Sequence, residues 1–195
     1  MSLNKTIIQE IQQQKAKNAL RPARNYSLVA ILVGLIYAGL VVYFLNFTYP
    51  FTSVFTQISI AIHLLVTLIA IAMYIRQLCR ISEINQSENV VQMQQKLAKL
   101  QSSTVKIVGI SLLQLPVFST WNISFELINE QPTQFWFIQM PIVLLFTFAG
   151  IWLYKNMDIK NMDKKWFKII FYGSEWSALV SSGKFLKEIE RFEKE

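Results

Sequence analysis

The chain has 195 residues, 53% of them hydrophobic and 16% charged, with a mean hydropathy of +0.34 and a formal net charge of +7. A composition this apolar and charge-poor excludes a disordered chain and argues against an ordinary water-soluble globule, in which roughly 25% of residues are charged. One cysteine and one histidine exclude an intramolecular disulfide framework, a CxxC site and a His-rich metal site.

The first segment, 1–26, places Leu3, Ile7, Ile8 and Ile11 at helical spacing among Gln and Lys. It predicts an amphipathic helix that ends before Pro22. Charge then disappears. None occurs from Asn25 to Ile75, a run of 51 residues, nor from Ile107 to Phe125, nor from Gln131 to Tyr154. A transmembrane helix needs about 20 apolar residues to cross about 30 Å of hydrocarbon. The first run therefore fits two crossings and the others one each, at about 27–47, 54–75, 105–124 and 135–154. Helices are expected because backbone groups in lipid must find their partners within the segment. Asn46, Thr48, Pro50 and Thr52 mark the turn between the first two spans. The first apolar run, about 21 residues long, exceeds the 7–15 residues of a cleaved leader and reads as a retained anchor.

Ile81 and Ile84 continue the second helix past Arg76 and Arg80 into a hairpin, 76–104. Asn85, with Glu88 three residues on, suits a helix start. Val90, Met93, Leu97 and Leu100 follow at steps of three, four and three, and Thr104 and Ile107 continue the series. This heptad-like stripe is a candidate partner-binding seam; alternatively the chain's own termini cover it. Pro116 and Pro141 fall inside the third and fourth spans and predict kinks. In the last segment, 155–195, Trp166, Phe167, Ile169, Ile170, Phe171 and Tyr172 mix with Lys164, Lys165 and Lys168. That mixture suits the lipid headgroup layer. Beyond Gly173, Leu179, Leu186, Ile189 and Phe192 mark the apolar side of a final helix, and Leu186 and Ile189 join the candidate partner surface.

The basic residues sort by segment. Five lie in 1–26, five from Arg76 to Lys106, and nine from Lys155 onward, which accounts for all 19. The two short loops, 48–53 and about 125–134, hold none. By the positive-inside rule, both termini and the central loop are cytoplasmic. The net charge then faces lipid headgroups, with no nucleic acid as partner. The expected fold is an all-α membrane protein. It is a four-helix transmembrane bundle with hairpins 27–75 and 105–154 and helical cytoplasmic extensions.

Within the spans, polar residues also repeat. Thr56, Ser59, His63, Thr67 and Tyr74 form one stripe on the second span, with Ser111 and Gln114 on the third and Gln139 on the fourth. Thr56, Ser59, His63, Thr67, Gln114 and Gln139 make a candidate intramembrane site for a ligand or proton; the plainer reading is hydrogen-bonded packing between helices. Ala30, Gly34 and Ala38 offer a small-residue face on the first span. No carboxylate pair, phosphate loop or nucleophile–base pair is present, so no enzyme and no cofactor are expected.

The arrangement resembles a loosely defined family of small four-span membrane proteins from Bacteroidetes. The resemblance rests on the charged start, the tight first hairpin, the segment Ile84-Asn85-Gln86-Ser87-Glu88-Asn89-Val90-Val91 and the run Gln94-Gln95-Lys96-Leu97-Ala98-Lys99-Leu100. It implies a partner of extracytoplasmic-function sigma factors in a bacterial inner membrane. The expected function is therefore membrane-anchored regulation through a cytoplasmic protein partner. The alternatives are a channel or transporter subunit centred on His63 and a structural subunit, including a homodimer.

Overall fold

The computed structural model describes residues 20–48, 51–83 and 90–172, together with Ile7, Ile11, Gln14, Asn18, Trp176, Ser177, Leu179 and Val180. The fold is all-α, with no strand among the described residues. The helices are α1 (Arg21–Thr48), α2 (Val54–Ser82), α3 (Val90–Leu112), α4 (Gln114–Ser119), α5 (Phe125–Asn129) and α6 (Pro132–Gln134). A π-helical turn (Phe135–Gln139), α7 (Met140–Asn156), a 3-10 turn (Ile159–Asn161) and α8 (Lys165–Ile170) follow. Among the described residues, four stretches are long and apolar enough to cross a membrane: Arg21–Thr48, Val54–Ser82, Gln92–Ser119 and Pro132–Asn156. With 28 and 29 residues, α1 and α2 are each about 42 Å long at 1.5 Å per residue, more than the hydrocarbon needs.

The third span departs from the expected unbroken helix over 105–124. It ends at Leu112, turns at Leu113 and resumes as α4, which stops at Ser119. Pro116 has no N–H to offer the Leu112 carbonyl, so the ladder breaks one turn ahead of it. Pro141 is accommodated differently. The Met140 N–H bonds the Phe135 carbonyl five residues back, and the proline falls in the first turn of α7, where no donor is missed. The expected loop at 125–134 contains α5, whose N-cap Ser124 accepts from the Leu127 N–H at 3.1 Å.

The chain divides into two compact units. Unit one comprises Met1–Ile31, Met73–Val105 and Asp158–Glu195. Its apolar core joins Leu20, Ala23, Ile81, Met93, Leu97, Leu100 and Leu179. A second cluster stacks Phe167 on Phe171 at 4.5 Å, with Trp176 edge-on to Phe167. Burying a leucine fully contributes about 1.5–3 kcal/mol, so this unit is held mainly by apolar burial.

Unit two comprises Leu32–Ala72 and Lys106–Met157. Its outer faces carry exposed apolar side chains such as Leu40, Phe47, Phe137, Leu144 and Phe148. Such faces fit lipid rather than water. Its helices approach closely through glycine. A Cβ on Gly150 would lie 2.9 Å from Pro116 Cδ and 3.3 Å from the Leu112 oxygen, so only glycine lets α7 pass the break in the third span. Gly34 opposes Ile71 in the same way.

Candidate functional site

The site lies in unit two and is built on α2. Steps of three, four and four residues put Thr56, Ser59, His63 and Thr67 on one helical face. Across from the first two, the chain leaves the helix after Ser119, and its carbonyls lose their ladder partners. Hydroxyls on α2 and on the residue just before it replace them. Ser53 Oγ donates to the Ile123 oxygen at 2.6 Å, and Thr56 Oγ1 donates to the Trp121 oxygen at 2.7 Å. Ser59 Oγ lies 2.8 Å from Thr120 Oγ1.

His63 is 1% exposed. The Tyr37 hydroxyl meets its Nε2 at 2.5 Å. Three aromatic rings enclose the imidazole: Phe118 at a centroid distance of 4.4 Å, Tyr37 at 5.4 Å and Trp121 at 5.8 Å, all tilted edge to face. Two buried nitrogens of this enclosure, His63 Nδ1 and Trp121 Nε1, have no hydrogen-bond partner among the described residues. Trp121 Nε1–H can only donate, and Nδ1 donates or accepts according to the tautomer. One turn further along, Thr67 Oγ1 donates to the His63 carbonyl at 2.9 Å and accepts from Gln114 Nε2 at 3.3 Å.

The six expected site residues are thus distributed over three arrangements. Thr67 and Gln114 adjoin His63, while Thr56 and Ser59 hold the unwound segment 120–123. Gln139 reaches elsewhere, donating to the Ser119 carbonyl. Sequence reasoning missed Tyr37 and Trp121. Tyr37 had a signal: it is a tyrosine deep in an apolar span, three residues from Gly34, rather than at an interfacial belt. Trp121 had none, because its place depends on the early end of α4.

The candidate partner residues lie in unit one. Met93, Leu97 and Leu100 are at most 5% exposed and form its core, so the chain itself covers that seam. Val90 is the first residue of α3. Leu186 and Ile189 lie outside the described residues. Unit one also buries Gln77, whose Nε2 donates to Thr104 Oγ1 at 3.0 Å while its Oε1 has no partner among the described residues. Glutamine at the charged edge of a span had given no warning of this.

Chemically, the enclosure around His63 offers two hydrogen-bonding nitrogens, one phenol and no carboxylate. Among the described residues, no three His, Cys, Asp or Glu side chains gather to hold a metal. The two nitrogens and the phenol suit hydrogen bonding to a water or a small neutral polar group. Compared with known proteins, the chain matches no family model, no curated protein and no solved structure.

Proposed function

We propose that the chain is a membrane-anchored interaction protein of regulatory type, with unit two as anchor and unit one as the part that meets a cytoplasmic protein. The observation that carries this reading is the separate core of unit one, drawn from segments before the first span, between the second and third, and after the fourth. A chain that served only to span the bilayer would have no use for a second packed core. Because Met93, Leu97 and Leu100 are spent on that core, the partner meets the outer face of α3, where Lys99 is exposed. The distribution of all 19 basic residues supports cytoplasmic termini, and the resemblance supports a bacterial inner membrane and a sigma factor as the class of partner.

The test is crosslinking of the tagged full chain in its own host, followed by capture in mild detergent and mass spectrometry. A soluble protein crosslinked to Lys96 or Lys99, and recovering this chain when tagged itself, is the expected result. Crosslinks only to further copies of this chain, or only to other membrane proteins, would replace regulation with a homodimeric or structural role.

A second reading rests on the unpartnered nitrogens of His63 and Trp121. It makes unit two a small channel or transporter subunit. Purified chain in liposomes under an imposed pH gradient would then conduct protons faster than the His63→Leu variant. Equal rates for the two proteins and for empty liposomes would end it.

A further inference from the structure

Unit one contains a cavity of about 460 Å³. Its polar wall is made by Arg21, Arg24, Gln14, Asn18 and Ser82. Its apolar floor is made by Leu20 and Ile81, both part of the buried core. Arg21 and Arg24 share a face of the first turn of α1, and neither has an acidic partner among the described residues. The place matters. Arg24 is the last charge before the 51-residue uncharged run, and Arg76 and Arg80 are the first beyond it. The cavity therefore sits where the first two spans leave the hydrocarbon, at the depth of lipid headgroups.

From these observations we infer that the cavity binds a phosphate-bearing anion, held by the Arg21 and Arg24 guanidiniums. Guanidinium donors match phosphate oxygens two at a time, which an ammonium does not. The amides of Gln14 and Asn18 supply further donors, and the Leu20–Ile81 floor receives an uncharged glycerol or acyl part. Basic pockets at helix ends are suited to acidic lipid headgroups by this chemistry. A soluble phosphate ester offers the same group without the acyl chains. The inference needs only that the chain spans a membrane and stands or falls apart from any protein partner.

The experiment is native mass spectrometry of the full chain in detergent, titrated with phosphatidylglycerol, with phosphatidylcholine and with glycerol 3-phosphate. One phosphatidylglycerol is expected to be retained in preference to phosphatidylcholine. Its affinity should fall about fivefold for Arg21→Gln or Arg24→Gln and about thirtyfold for both. The Arg21→Lys, Arg24→Lys variant keeps the charge and loses the paired donors, so it should fall between. Both arginines are exposed, and circular dichroism of each variant confirms that the helices persist. Displacement of the lipid by glycerol 3-phosphate at matching concentration would assign the site to a soluble phosphate ester. Failure to displace it would assign the site to the lipid. Equal retention of the two lipids, or retention indifferent to both arginine substitutions, would overturn the inference.

Discussion

In unit one, Leu20, Ala23, Leu97, Leu100 and Leu179 turn inward and meet one another in an apolar core, though Ser27, Gln77, Ser103 and Thr104 are buried in this unit as well. In unit two large apolar side chains such as Leu40, Leu144 and Phe148 face outward, and the polar Ser59, His63 and Thr67 line a buried face of one helix. The difference follows from what surrounds each helix. Water drives apolar side chains together. Lipid does not, so helices within it are joined by close approach and by hydrogen bonds. One chain thus uses two kinds of adhesion, and a substitution that weakens one unit should leave the other in place.

The largest expected effect tests unit one. Leu100→Ala removes a side chain with no exposure and should cost about 2–5 kcal/mol. Hydrogen exchange in detergent would show faster exchange through α3 before Lys106 and unchanged protection around His63. Equal loosening of both units would mean that they unfold as one and would break the comparison. Next comes Gly150→Ala. Its new methyl meets the Pro116 ring at 2.9 Å and should cost about 1–3 kcal/mol as overpacking. Gly39→Ala is the control, since nothing lies within 4 Å of its added Cβ. Thermal melting of the pair should separate them clearly; matching melts would remove close approach as a source of adhesion. The smallest effect is that of Thr56→Val, which keeps the shape and loses the bond to the Trp121 oxygen. A loss of about 0.6 kcal/mol, and no more than about 1.7, is expected from unfolding in mixed detergent. A larger loss would place the strength of unit two in single hydrogen bonds rather than in their number.

Much of this was legible in the charge pattern. The uncharged runs located four helices of spanning length, because a charge within hydrocarbon is costly and few sequences tolerate one. The three- and four-residue spacing from Thr56 to Thr67 announced a polar face on α2. It left open what that face meets, since the acceptors at Trp121 and Ile123 become available only where α4 stops. Pro116 signalled a disturbance, yet its form depended on Gly150, 34 residues away in sequence, which lets α7 lie against the freed carbonyl. Pro141 gave the same signal and produced a different structure, a π-helical turn. The stripe from Met93 to Leu100 was equally plain, but periodicity shows only that a face is apolar and is silent on what covers it. Leu20, Ala23 and Leu179, remote in sequence, decided that.

The π-helical turn at Phe135–Gln139 winds one surplus residue into the fourth span. Each residue of an α-helix advances the chain by about 100° around its axis. The surplus therefore acts as a phase adjuster. It lets Phe135 be buried at one end while Gly150, past the turn, still faces Pro116. A deletion of Ile138 would shorten the span by hardly more than an ångström or two, well within what a bilayer absorbs. Because it removes the surplus, the turn would close as an ordinary α-turn and both halves would keep their faces, whereas a deletion within α7 before Gly150 would turn that glycine about 100° away from Pro116. Length in this span is forgiving, and rotation is not.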